Sequence, residues 1–211
     1  MKGYCDMNQQ PKRKPGRPRL EQSETKINIL RTSSMLFMEI GYDKVSLELV
    51  AKKCSITKAS VYYYFSNKSN LFTECLTYVM GIAYNATSTI LKSSIPLKQR
   101  LEQIAFKQMS NSHLDFETMM RDAAKDLDED QTRQIREAEG KLEQALIEAF
   151  EEAIERGEIN PKHQPIILAH LFTAILTMKN HLNLKPIPLE DIVAQTIDIF
   201  WEGAIQQTNG Q

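Results

Sequence analysis

From Ile27 almost to the end of the chain, apolar residues recur at three- and four-residue intervals, and no run of Val, Ile or Thr alternates with polar residues at period two. That spacing leaves strands out and commits the chain to helices packed on helices. Gly and Pro punctuate the pattern: Gly41 stops a first helix expected from Ser23 to Ile40, Pro96 interrupts near Ser93-Ser94, and Gly157 with Pro161 ends a long segment. Ser46 has the chemistry of an N-cap for a short helix, Leu47 to Lys53, and Cys54-Ser55-Ile56 makes a turn. Thr57 caps a third helix through Tyr64, and Asn67 or Ser66 opens a fourth near Lys68. Asp128 and Gln131 have capping-box spacing for a helix to Arg156. Two more are expected, His163 to Leu184 and Leu189 to Gln206, divided by Lys185-Pro186-Ile187-Pro188. The expectation is an all-α fold of about nine helices.

Charge divides the chain further. Residues 1–75 carry 13 Lys and Arg against 7 Asp and Glu, a net of +6, while the remainder carries 13 against 20, a net of −7. A basic head on an acidic body points to a polyanion partner for the head. Residues 1–22, with three prolines, two glycines and the run Lys12-Arg13-Lys14-Pro15-Gly16-Arg17-Pro18-Arg19, read as a flexible basic arm. Residues 23–72 form the expected head domain, and residues 73–211 the expected helical body.

Three dispersed cysteines, Cys5, Cys54 and Cys75, fit neither a disulfide framework nor a CxxC metal site. No apolar run follows the N-terminal basic residues as a signal peptide requires, and the longest apolar stretch, Pro165 to Leu176, is too short to span a bilayer. A reduced cytoplasmic protein with no membrane partner is the expectation. The sequence offers no Gly-rich phosphate loop, HExxH or GxSxG. His163 and His170 lack a third ligand, and the acidic runs fit solvated helix faces. An enzyme is not expected, nor a metal or cofactor.

Two short helices joined by a tight turn and packed on a preceding helix place one helix in the DNA major groove. The third helix suits that task. Thr57, Lys58 and Ser60 present short or basic donors at its N-terminal end, and Tyr62, Tyr63 and Tyr64 offer hydroxyls to phosphates. The fourth helix would set free backbone N–H groups beside Lys68, a phosphate clamp. The plainer alternative for the tyrosines is core packing, which is the expectation for Phe65 and Leu71.

The stretch Ile29 to Leu71 closely resembles the DNA-binding domain of the TetR family of transcriptional regulators. The landmarks are Ile29, Leu36-Phe37, Gly41-Tyr42, Val50-Ala51, Tyr62, Tyr64-Phe65, Asn67-Lys68 and Leu71. The resemblance implies a recognition-helix face of Thr57, Lys58, Ala59, Ser60 and Tyr63, with Ser46, Tyr62, Tyr64 and Lys68 on the DNA backbone. It also implies a helical C-terminal domain that binds ligand and dimerises. Two residues depart from the pattern: Ser55 stands where the family usually has a turn glycine, implying a small left-handed strain, and Ser33 replaces a core alanine. Gly16-Arg17-Pro18 resembles the core of an AT-hook, with Arg17 drawn into a narrow minor groove, although Pro15 stands where an arginine is usual.

In the body, Ile167, Leu168, Leu171, Phe172, Ile175 and Leu176, with Ile192, Val193, Ile197, Phe200 and Trp201, lie on broad apolar faces of the last two helices. Two such helices from each chain fit a four-helix dimer interface. The alternative is that they close the monomer's own core, and the faces are wide enough for both. Tyr78, Tyr84, Phe106, Met109, Phe116 and Met120 are soft or aromatic residues suited to a pocket for an unidentified small-molecule effector, with His113 and Arg121 to fix a polar group. The function expected is a homodimeric, sequence-specific regulator on a near-palindromic operator in double-stranded DNA, a repressor released by its effector. The rival is a DNA-binding protein whose body docks another protein.

Overall fold

A computed structural model describes residues 19–110, 116–178 and 187–205, with side chains from Ser23 onward. The described residues form nine helices: α1 Arg19–Ile40, α2 Leu47–Lys53, α3 Lys58–Tyr64, α4 Lys68–Leu91, α5 Leu97–Met109, α6 Phe116–Ala123, α7 Glu129–Glu155, α8 Pro165–Thr177 and α9 Leu189–Ala204. They contain no strand, only an isolated bridge between Ile159 and Ile205. No described helix is long and apolar enough to cross a membrane.

The helix ends follow from local chemistry. Ser46, Thr57, Asn67 and Asp128 each accept a hydrogen bond from the backbone N–H three residues on, and Asp128 with Gln131 closes a full capping box. Gly41 and Gly157 take φ of 82° and 75° after α1 and α7. Three boundaries differ from expectation. The first helix begins at Arg19 rather than Ser23, because Leu-Glu-Gln favours helix and contains no breaker. The eighth begins at Pro165 rather than His163, since a proline is preorganised for the first helical position. The end of α5 at Met109 had no Gly or Pro to announce it.

Two buried clusters organise the packing. The first gathers Ile29, Phe37, Tyr42, Val50, Val61, Phe65, Leu71 and Phe72 from α1–α4, and admits Met119, Met120, Ala123 and Ile135 from α6 and α7. The second gathers Leu101, Ile104, Leu146, Phe150, Leu168, Phe172, Val193 and Ile197 from α5 and α7–α9. At the centre of the first, Phe72 meets Phe37 and Tyr42 edge-on, with centroids 5.0 and 4.9 Å apart. Because α4 contributes Phe72 near its start and Leu91 at its end, one helix belongs to both clusters. At 24 residues it is about 36 Å long.

Candidate nucleic-acid interface

α2 and α3 are joined by a turn whose hydrogen bonds form a Schellman motif: Ile56 N–H donates to the Ala51 carbonyl at 3.0 Å, and Ser55 N–H to the Lys52 carbonyl at 3.2 Å. The motif needs a left-handed residue at Ser55, which has φ 54°. Among the described residues it is the one non-glycine with positive φ. The serine therefore sits where Cβ is disfavoured by about 1–2 kcal/mol. Glycine would relieve that cost while adding about 0.4–1 kcal/mol of unfolded-chain entropy. Ser55→Gly is thus expected to raise stability slightly in urea denaturation. A loss above about 1 kcal/mol would show that the hydroxyl, not the turn geometry, matters there.

The turn sets the start of α3 outward. Thr57, Lys58 and Ala59 are exposed and Ser60 is half-buried, while Val61 anchors the opposite face in the core. Thr57 Oγ1 accepts from Ser60 N–H at 3.1 Å and lies 2.8 Å from Ser60 Oγ. Tyr62 and Tyr63 are 45% and 71% exposed, more than packing alone requires of large aromatics. Tyr64 is half-buried and packs on the first cluster, touching Tyr63 edge-on and Phe65 at a tilt. Packing thus accounts for much of Tyr64 and little of Tyr63.

Lys58 pairs with Glu48 in the first turn of α2, and its ammonium lies 5.4 Å from the Tyr62 ring centroid. The hydrogen bond from Lys58 holds the Glu48 carboxyl below its ordinary range, and Glu48 raises Lys58 in return. Lys68, at the first position of α4, sits 4.1 Å above the Tyr42 ring and donates to the Asp43 carbonyl at 3.2 Å. Burial lowers its affinity for a proton; the Asp43 and Asp126 carboxylates oppose that shift and Lys125 reinforces it. Ser46 is half-buried, and its hydroxyl accepts from Leu49 N–H at 3.1 Å.

One edge of the head therefore combines the start of α3, two exposed tyrosines and the start of α4. The roles of Glu48 and Tyr42 were not anticipated. Their signal was the helix-turn-helix geometry itself, which brings the first turn of α2 beside the first turn of α3. Arg17 and the AT-hook-like core lie outside the described residues.

The sequence profile of the bacterial regulatory proteins of the tetR family matches residues 29–75, the segment running from α1 through the first turns of α4. Residues 29–75 thus carry a DNA-binding domain of the TetR type. The chain is similar to the uncharacterised HTH-type transcriptional regulator YhgD of Bacillus subtilis (strain 168), 22% identical over 158 residues, 70% of this chain and 80% of that one. A shorter match is to IcaR of Staphylococcus aureus (strain Newman), the negative transcriptional regulator of the biofilm operon icaADBC. It is 36% identical over 61 residues, 27% of this chain and only 33% of the relative. Among solved structures, a TetR-family regulator from Mesorhizobium loti superposes with a TM-score of 0.67 at 20% identity, covering 90% of this chain and all of that one. FadR of Bacillus subtilis, in complex with stearoyl-CoA, gives 0.64 at 16% identity over 84% of this chain and 98% of its own. At such identities the likeness is one of fold, and the body shares the family's helical architecture.

The body residues expected to line one pocket are not brought together. Phe116 and Met120 pack on the first cluster with Tyr78, whereas Met109 is buried in the second. Phe106 is 42% exposed. Arg121 is an exposed residue hydrogen-bonded to Thr118, and His113 lies outside the described residues. Tyr84 lines clefts between α4 and α7. Among the expected interface residues, Leu168, Phe172, Val193 and Ile197 are buried in the chain's own core. Ile175, Phe200 and Trp201 are half-buried at its edge. The outward apolar stripe is formed by Ile167 and Leu171 of the expected face together with Ile199, at 53%, 53% and 73% exposure. With Ile175 and Phe200 it walls an open groove of about 450 Å³ between α8 and α9. Among the described residues, no group of three or more His, Cys, Asp or Glu is placed to hold a metal.

Proposed function

We propose that the chain is a sequence-specific DNA-binding repressor that acts as a homodimer and leaves its operator when a small molecule binds the body. Residues 1–22 serve as a basic arm carrying Arg17, residues 23–72 as the DNA-binding domain, and residues 73–211 as the sensing and dimerising domain. The observation that carries the reading is the outward start of α3. Thr57, Lys58, Ala59 and Ser60 stand where a recognition helix meets base edges, with Tyr63 beside them. Ser46, Tyr62, Tyr64 and Lys68 flank that face and suit phosphate contact. Two copies joined through the α8–α9 groove would present two such faces to a near-palindrome.

Release requires that ligand and DNA favour different arrangements of the same chain. α4 suits that coupling, because it begins at Lys68 beside the proposed DNA face and ends among body residues. IcaR is a negative regulator and FadR was solved with stearoyl-CoA, which supports repression and ligand response as the reading for this relative. The open apolar groove also fits the second reading, a body that docks another protein. Its stripe of Ile167, Leu171 and Ile199 favours a second copy of the chain, because a two-fold axis through the groove would set these apolar side chains against one another.

Selection of purified protein from random duplex DNA tests the proposal. A near-palindrome is expected, bound with a steep negative salt dependence. Lys68→Ala should weaken binding on every sequence and flatten the salt slope by about 1, and Lys58→Ala should relax sequence preference instead. Weak binding indifferent to sequence would refute the DNA-reading role.

A further inference from the structure

Arg100, on α5, is the only Lys, Arg, Asp or Glu among the described residues to be buried, with 7% of its surface exposed. Its Nη1 donates to the Leu91 carbonyl at the end of α4, at 2.6 Å, and its Nε is buried with no partner. A guanidinium removed from water without a counter-charge is unfavourable in a closed core. Arg100 instead lines a half-open cleft of about 400 Å³ between the end of α4, the α4–α5 turn and α7. The other charged groups facing the cleft are Lys92, Arg156, Glu148 and Glu152. Arg156 and Glu152 neutralise each other at 2.8 Å, and Glu148 accepts a hydrogen bond from Gln144 at 3.1 Å. Arg100 and Lys92 thus outnumber the remaining carboxylate.

We infer that this cleft binds a small organic anion, with its carboxylate or phosphate against Arg100 and its apolar part along Tyr84, Ala145 and Ala149. The inference rests on reading the body as a ligand sensor, and it moves the ionic anchor from the exposed Arg121 to the buried Arg100. A guanidinium with a free N–H edge is the side chain best matched to either anion. Position adds to the chemistry. Leu91, whose carbonyl Arg100 holds, ends the helix that Lys68 begins, so an anion that draws Arg100 off that carbonyl acts directly on α4.

The test follows the Arg100 Nε–H resonance of the full chain by nitrogen-15 NMR. Inorganic phosphate, butyrate and uncharged butyramide are titrated in separate arms at ionic strength fixed with chloride. A saturable shift with phosphate or butyrate, and none with butyramide, is expected; which anion acts identifies the head group. Arg100→Lys and Ser94→Glu should each weaken the response at least tenfold when read from neighbouring backbone amides. Ser94 lies on an exposed turn, so its replacement reports on the cleft even if Arg100→Lys fails to fold. No saturable shift with either anion, or an undiminished response in Ser94→Glu, overturns the site. A response that holds while operator affinity stays constant keeps the site and refutes ligand-driven release.

Discussion

Leu171→Asp is expected to yield a folded monomer that binds operator DNA at least about 100-fold more weakly than the parent chain. Leu171 is 53% exposed on α8, between Ile167 and Ile175 on the same stripe, and it walls the groove shared with α9. A carboxylate there keeps its water in the isolated chain, so the core centred on Phe172 and Ile197 is undisturbed. In a two-fold dimer the same carboxylate is buried twice, once from each copy, without a cation to meet it. Losing the dimer removes the effective concentration that makes the second half-site almost automatic, and factors of about 10²–10⁴ rest on that link. Light scattering behind a sizing column gives the mass, and a binding titration gives the affinity. A variant that stays dimeric would place the self-association surface elsewhere and favour a protein-docking role for the groove.

The second large effect lies in the core. Phe72→Ala is expected to cost about 3–5 kcal/mol of unfolding free energy, the range for removing a fully buried aromatic ring. Phe72 is fully buried, and both of its ring neighbours, Phe37 and Tyr42, meet it edge-on. The Tyr42 ring also lies beneath Lys68, so collapse into the cavity would tilt the surface on which that ammonium rests. Operator affinity should therefore fall even under conditions where the variant remains folded. Urea denaturation at pH 7 measures the first effect and a titration at low temperature the second. A cost below about 1 kcal/mol would mean that neighbouring side chains refill the space.

The head was legible because its signals are local. Ser46, Thr57 and Asn67 cap the helices they were expected to cap, as Asp128 does in the body, since a cap depends on residues three apart in sequence. Gly41 and the left-handed Ser55 likewise declare their geometry within a turn. Body residues were harder to assign because an apolar helix position does not say which neighbour covers it. Leu168 and Leu171 are three apart on one helix, yet the first is buried and the second open. Tyr78 and Met109 share a composition argument but belong to different clusters. Arg100 gave no signal at all: an arginine in LKQRLEQ reads as a solvated helix residue until the α4 carbonyl above it is known.

The Glu48–Lys58 pair bears on how such a protein searches a chromosome. With its ammonium already neutralised by the chain's own carboxylate, Lys58 gains little from an arbitrary phosphate, which merely exchanges one anion for another. With Lys58 as the proposed base contact, only an edge that satisfies the displaced groups would repay the exchange, so the pair is expected to lower the dwell time on random DNA more than on the operator. Glu48→Gln would leave a stickier chain, slower to release wrong sites and outcompeted more readily by bulk genomic DNA, though no weaker on an isolated operator.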